Sequence, residues 1–359
     1  MRFLRLLLFP LSFIYALGVI LRNWAYDAGI FRSRKFKIPV ISVGNLAVGG
    51  SGKSPMTEYL VTLFKNDFTM ATLSRGYGRR TKGFLNVKLS SLAEDVGDEP
   101  LQFKQKFPEI TVAVCEDRVA GIKELNQRHE LIIMDDAYQH RAVKPGFSIL
   151  LFDYNSLFNF PWFLPSGDLR EPLSGRKRAD VIVVTKTPGN LPDEERLRII
   201  ARVDPYPHQQ VYFSYLDYGD LAMLYHPENK MSLAGITAET QIVLLTGIAN
   251  PAPLAAELKR QSGRLVHHQY PDHYQFGKKN ISKLVAAFKA LPGSDKLIIT
   301  TEKDAQRLKG YPFKELLKGL PVYYLPVKAA IHQPDENRFN DLIREYVRQH
   351  TVNNRVHKA

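Results

Sequence analysis

From residue 38 onward the chain alternates short, almost uninterrupted apolar runs with longer stretches of mixed polarity. The runs at 39–43, 69–74, 111–115, 131–134, 148–152 and 181–185 have the length and texture of strands buried on both faces. Segments with helical spacing lie between several of them, at 55–65, 99–106 and 118–128. Buried strands separated by helices predict a doubly wound α/β fold around a mostly parallel sheet. Near 203–219 the pattern shifts to proline, tyrosine and strand-like alternation, which continues to about 233. Strand–helix units then resume at 242–246 with 253–262 and at 296–300 with 303–308. The run 321–327 reads as a last strand and 335–350 as a closing helix. These spans suggest a core over 31–205 and a smaller α/β lobe over 206–359, behind an N-terminal segment of residues 1–30.

That N-terminal segment is different in kind. Arg2 and Arg5 precede an uncharged stretch of 16 residues, Leu6 to Leu21, and Arg22 and Trp24 follow it. Crossing a bilayer takes about 20 apolar residues. The pattern therefore predicts a helix lying in, or partly entering, the headgroup layer, with Trp24 at the interface. Two alternatives are a buried core helix and a secretory signal cleaved near Ala16-Leu17-Gly18. Export would remove the chain from the nucleotide that its best motif implies.

Lys and Arg number 49 against 36 Asp and Glu, a formal net charge of +13. Such a surplus attracts nucleic acid, phosphorylated substrates or an anionic membrane face, without choosing among them. Cys115 is the only cysteine, so a disulfide or multi-cysteine metal site within the chain is excluded, which suits a reducing cytoplasm.

The motif is Ala47-Val48-Gly49-Gly50-Ser51-Gly52-Lys53-Ser54, set between a strand and a helix. Glycines let backbone N–H groups converge on phosphate oxygens, and the helix N-terminus adds its positive end. Lys53 would reach the outer phosphates and the Ser54 hydroxyl would ligate Mg²⁺. The strict phosphate-loop pattern has glycine where this chain has Ala47; the looser form admits alanine. A carboxylate for magnesium is expected at the end of a neighbouring buried strand, and Glu130–Asp136 (ELIIMDD) ends in Asp135 and Asp136, either of which could serve.

Three further stretches have the makings of a kinase. Asp98 and Glu99 in VGDEP precede a helix, although Asp98 there could simply be a cap. Arg170, Arg176, Lys177 and Arg178 lie in the broken segment LPSGDLREPLSGRKRAD, either a solvated basic loop or a source of a cation for a transferring phosphoryl group. His273 sits beside Asp272 in YPDHYQF, where packing or solvation is the plainer explanation. In chain order AVGGSGKS, VGDEP, IIMDDAYQH, SGDLREP, PDHYQF and TTEKDAQRL resemble the tetraacyldisaccharide 4′-kinases, from about residue 38 to residue 308.

The resemblance implies a membrane-associated P-loop kinase at the cytoplasmic face of the bacterial inner membrane. It would use ATP and Mg²⁺ to phosphorylate the 4′-hydroxyl of a tetraacylated glucosamine disaccharide 1-phosphate, giving lipid IVA. Ala47, Val48, Gly49, Gly50, Ser51, Gly52, Lys53 and Ser54 would wrap the nucleotide. Asp98 and His273 would act as a dyad that takes the acceptor proton, Glu99 would order the surrounding ligands, and Arg170 would neutralise charge on the transferred group. Ser54, Asp135 and Asp136 would serve the metal, with Gln139 and His140 nearby. A monomer is expected, with no nucleic-acid partner. Two departures stand out: Ser54 replaces a frequent threonine, and Ala137 replaces a frequent glycine, which would tighten the backbone there. The strongest reading of another class is a P-loop ATPase switch of the partitioning or metallochaperone kind, whose loop carries a lysine where this chain has Val48.

Overall fold

The structure, a computed structural model, describes residues 5, 7–272 and 274–356, with side chains as far as 351. Helix α1 (Phe9–Asp27) comes first. Strand β1 (Val40–Asn45) leads into α2 (Lys53–Phe64), β2 (Met70–Ser74), the short β3 (Leu85–Asn86), α3 (Ala93–Val96) and α4 (Asp98–Lys106). β4 (Thr111–Val114), α5 (Arg118–Leu125), β5 (Leu131–Asp135), β6 (Phe147–Asp153), β7 (Val181–Thr185), α6 (Asp193–Val203) and β8 (Gln210–Tyr218) follow. The second lobe runs through β9 (Leu221–Met223), β10 (Lys230–Met231), β11 (Gln241–Thr246), α7 (Ala252–Gln261), β12 (Arg264–Gln269) and α8 (Lys278–Ala290). It continues with β13 (Lys296–Thr301), α9 (Glu302–Leu308), α10 (Phe313–Leu317) and β14 (Val322–Leu325), before β15 (Val327–Ile331) and α11 (Asp335–Val356).

The first sheet has the order β15-β8-β7-β6-β1-β5-β2-β4-β3. Every pair from β8 to β4 is parallel, and only the edge strands β15 and β3 run antiparallel. β1, β5 and β7 are buried at every position, as uninterrupted apolar runs covered on both faces should be. Register sets Val43 beside Asp135 and Asn45 beside Leu151, so the carboxyl ends of β1, β5 and β6 share one rim. That rim is where open α/β sheets bind ligands.

The second sheet, β10-β9-β14-β13-β11-β12, is mixed. The change of sheet falls between β8 and β9, later than the boundary at 205 that the sequence suggests. β8 pairs in parallel with β7, Val181 beside Gln210. The chain also returns: β15 pairs with β8, and Phe339, Ile343 and Val347 of α11 are buried in the first core. The run 321–327 is two strands rather than one. Pro326, which has no N–H to offer a ladder, marks the break between β14 in one sheet and β15 in the other.

Helix α1 is turned inside out. Its buried residues are Ser12, Asn23 and Ala25, while Leu11, Phe13, Ile14, Leu17, Ile20, Leu21 and Trp24 are exposed. Among the described residues no helix is long and apolar enough to cross a membrane.

One glycine at the rim is required by close approach. A Cβ on Gly44 would lie 2.7 Å from the Tyr138 Cβ and 3.0 Å from its backbone nitrogen. Gly44→Ala is expected to destabilise the protein by about 1–3 kcal/mol through overpacking, read as a lower urea midpoint at unchanged slope; an unchanged midpoint would show that Tyr138 yields freely.

Candidate active site

The loop between β1 and α2 is held from both flanks. On one side Ala47 bridges Leu169, and the Val48 N–H donates to the Asp168 carbonyl at 2.7 Å. On the other, the Thr185 hydroxyl donates to the Ser51 carbonyl at 2.9 Å, and Lys186 donates to the Gly50 carbonyl and to Asp153 Oδ2. The left-handed positions fall on Gly49 (φ 106°) and Gly52 (φ 78°), and Ala47 sits outside them, which is why alanine fits there. α2 begins at Lys53 with no side chain capping its first turn, so its N–H groups remain available to an anion.

Asn45 ties the loop to its neighbours. Lys53 Nζ lies 3.4 Å from Asn45 Oδ1 and 3.8 Å from Asp136 Oδ1. Arg170 donates to the same Asn45 oxygen and makes a two-point contact with Asp136, at 3.0 and 3.4 Å. Gln139 Nε2 donates to the Asn45 carbonyl at 2.7 Å. Although burial pushes the Asp136 carboxyl up, Lys53 and Arg170 beside it hold it below the ordinary carboxylate value.

Asp135 has the opposite environment. It is fully buried, and burial, followed by the negative charges of Glu99 and Asp136, pushes its carboxyl up to about 7. Its hydrogen-bond donor is Thr57, at 2.9 Å, one turn along α2 from Ser54. A desolvated carboxylate beside two more is a site that a hard divalent cation relieves. Among the described residues no group of three acidic, histidine or cysteine side chains converges on one point. That donor set fits Mg²⁺, which takes one or two carboxylates and leaves its other positions to phosphate and water. The tight backbone expected at Ala137 is found one residue earlier, where Asp136 itself is left-handed (φ 46°).

Asp98, Glu99, Asp135, Asp136 and Arg170 line one cavity of about 500 Å³, with Gln139 and His140 also on its wall. Burial, then Arg118, drives the His140 imidazole down to about 4, so it is neutral. Tyr15, Val19 and Arg22 of α1 close one side. Asp98 takes the Arg307 guanidinium from the second lobe, Nε to Oδ2 at 2.9 Å. Glu99 takes Lys303 at 3.2 Å, and Lys303 also reaches Asp272 at 3.7 Å. His273, next in sequence, lies outside the described residues. Arg176 and Lys177 pair elsewhere, with Asp204 and Asp27, and Arg178 pairs with the buried Glu171.

Several residues of the site escaped the sequence reading. Asn45 and Thr185 end buried strands and Lys186 follows one, a position that itself signals the rim, and Thr57 follows the loop by one helical turn. Arg118 and Arg307 carried no such signal.

A model of the tetraacyldisaccharide-1-P 4′-kinase family (LpxK) matches residues 4–348. The chain belongs to the tetraacyldisaccharide-1-P 4′-kinase family. It is 43% identical over 352 residues to a tetraacyldisaccharide 4′-kinase of Phocaeicola vulgatus, covering 96% of both chains. Against the Flavobacterium johnsoniae tetraacyldisaccharide 4′-kinase it is 42% identical, with 97% and 99% covered. A crystal structure of the "apo" form of LpxK from Aquifex aeolicus in complex with ATP superposes with a TM-score of 0.73 at 29% identity, covering 96% of this chain and 99% of that one. The tetraacyldisaccharide 4′-kinase match thus extends past both ends of the motif-bearing region, into α1 and α11. It also sets aside the ATPase-switch reading: the family activity is a phosphotransfer to sugar, in lipid A biosynthesis.

The Asp135 environment has a measurable cost in a tetraacyldisaccharide 4′-kinase without bound nucleotide. A carboxyl held protonated in the fold favours folding below its unfolded value of 3.8, and that contribution is lost as pH rises through about 7. Asp135→Asn should therefore raise the melting temperature of the nucleotide-free protein above pH 7, change it little near pH 4, and abolish kinase activity. Parallel pH–stability curves for the two proteins would refute the buried-charge account.

Proposed function

We propose that this chain transfers the γ-phosphoryl group of ATP to the 4′-hydroxyl of a tetraacylated glucosamine disaccharide 1-phosphate, giving lipid IVA, at the cytoplasmic face of the inner membrane. The observation that carries this reading is the single cavity shared by Asp98, Asp135, Asp136 and Arg170, with Lys53 of the glycine loop 3.8 Å from Asp136. ATP is the nucleotide of the Aquifex aeolicus complex. The backbone of residues 47–54 and Lys53 would cradle its phosphates, and Thr185 and Lys186 would keep the loop in shape. Ser54, Asp135 and Asp136 would hold Mg²⁺, which supplies charge neutralisation on the phosphate oxygens when bound.

The acceptor oxygen attacks the γ-phosphorus, the bond to the bridging oxygen breaks, and ADP leaves. Asp98 and His273 receive the acceptor proton as a pair, the aspartate fixing the tautomer and raising the basicity of the imidazole. Lys303, shared by Glu99 and Asp272, ties Asp272, the residue before His273 in sequence, to the start of α4. Arg170, held on a rigid loop, would neutralise charge on the transferred group.

Membrane association is supported by the apolar outer face of α1 and the basic run Arg32, Arg34, Lys35 and Lys37 beyond it. The acyl chains of the acceptor are then in the lipid that α1 touches, and its sugar is beside Tyr15 and Arg22.

Incubating the protein with ATP, Mg²⁺ and tetraacyldisaccharide 1-phosphate should give a bisphosphorylated lipid; ATP hydrolysis alone would refute the assignment. Glutamate at both Leu17 and Ile20, exposed by 49% and 47%, should cut co-sedimentation with phosphatidylglycerol vesicles several-fold at unchanged melting temperature. Undiminished co-sedimentation would remove α1 from the membrane contact.

A further inference from the structure

Arg307 belongs to the stretch 301–308, whose only part in the reaction so far is the Lys303 bridge between Glu99 and Asp272. It sits on α9 in the second lobe, yet its guanidinium reaches Asp98 in the first turn of α4. Nε donates to Asp98 Oδ2 at 2.9 Å, and Nη2 donates to the same oxygen. Nη1 turns the other way, to Asp304 Oδ1 at 2.8 Å and the Gly247 carbonyl at 3.3 Å. Asp304 is fully buried and is itself fixed, accepting from the Gly247 N–H and the Thr301 hydroxyl, both at 2.8 Å. A Cβ at residue 247 would stand 3.1 Å from Asp304 and 3.3 Å from Arg307, so glycine lets the backbone close this ring.

Adhesion between the lobes is one explanation, and it falls short. Lys106 with Glu302 at 3.1 Å, Lys303 with Glu99 at 3.2 Å and Lys309 with Gln105 at 2.8 Å already join α4 to α9. A buried ion pair seldom stabilises more than an apolar substitute, because both groups lose water. Adhesion also has no use for a second buried carboxylate behind the arginine. Asp304 does something else: it fixes the plane of the guanidinium, whose fork in turn fixes the plane of the carboxylate it grips.

We propose that Arg307, oriented by Asp304, is a positioning residue for phosphoryl transfer, holding the Asp98 carboxylate at its working angle only while the second lobe is docked on α4. This rests on Asp98 being half of the proton-accepting pair. Both donors converge on Oδ2, so the grip itself spends none of Oδ1. Separation of the lobes withdraws the clamp, and the acceptor-activating group is then set only in the closed molecule.

A double-mutant cycle tests this, with kcat and KM for ATP measured separately. Arg307→Gln is expected to lower kcat by roughly 10–100-fold, with KM for ATP changed less than about threefold. Arg307→Lys, which keeps the charge without the fork, should recover part of the loss. On an Asp98→Asn background the same Arg307→Gln change should cost less than about threefold, because the group it acts through is gone. Lys106→Met weakens the same lobe contact away from Asp98, and its cost should be equal on both backgrounds. Equal losses from Arg307→Gln on both backgrounds, or a Lys106→Met loss in kcat matching that of Arg307→Gln, would reduce Arg307 to adhesion and overturn the proposal. Normal kcat in Asp98→Asn alone would instead overturn the proton-accepting pair, and this proposal with it. If Arg307→Gln does not fold, the cycle runs on Arg307→Lys, whose own deficit must vanish on Asp98→Asn.

Discussion

Two main-chain hydrogen bonds decide where chemistry can occur in this molecule. The Val48 N–H donates to Asp168, and the Arg170 N–H donates to the Leu46 carbonyl at 2.8 Å. Backbone polar groups leaving a buried strand must find partners. Here the phosphate loop and the 168–170 segment find each other, so neither moves alone. The Arg170 side chain then leaves from a fixed base, and its contacts with Asn45 and Asp136 follow from that placement. A loop prepared in this way needs little reorganisation when charge develops beside it, which is the general source of electrostatic catalysis.

The aspartate doublet shows how finely the rim divides charge. Asp135 ends β5 and turns inward to Thr57, while Asp136, in a left-handed conformation, turns out to Lys53 and Arg170. Adjacent and chemically identical, the two are driven in opposite directions by burial on one side and cations on the other. Carboxylates pushed apart in this manner take different tasks. The sequence could not separate them; the environment does, setting two cations against Asp136 and the Thr57 hydroxyl against Asp135.

The parallel sheet was legible because its strands are buried on both faces, which leaves continuous apolar runs. β7 matches its expected span residue for residue, and β1, β2, β4, β5 and β6 lie within one or two positions. What stayed hidden was long-range. β8 alternates as strongly as any strand of the second lobe, and nothing local says that it joins β7 or that β15 crosses back to it. Within the site, residues with a role in a motif were visible, whereas Asn45 and Thr57 act through partners 125 and 78 positions away, and Arg307, though inside a motif, acts through one 209 positions away. TTEKDAQRL was visible as one of the motifs of the resemblance, but without a role for any of its residues. In the fold its Glu302, Lys303, Asp304 and Arg307 form the charged face that meets α4.

Helix α1 joins the membrane question to the catalytic one. Its outward face is apolar, while its inward face is polar and spends its groups on the site: Ser12 accepts from the Ser166 N–H, Tyr15 donates to the Arg170 carbonyl, and Arg22 donates to the Gln139 carbonyl. Removing the helix would therefore strip supports from the Arg170 loop as well as the apolar outer surface, and loss of activity would not separate the two roles. Substitutions confined to the outer face do separate them. The apolar outer face and the support of the Arg170 loop thus share one helix, so the contacts that hold the loop also fix the direction in which that face points.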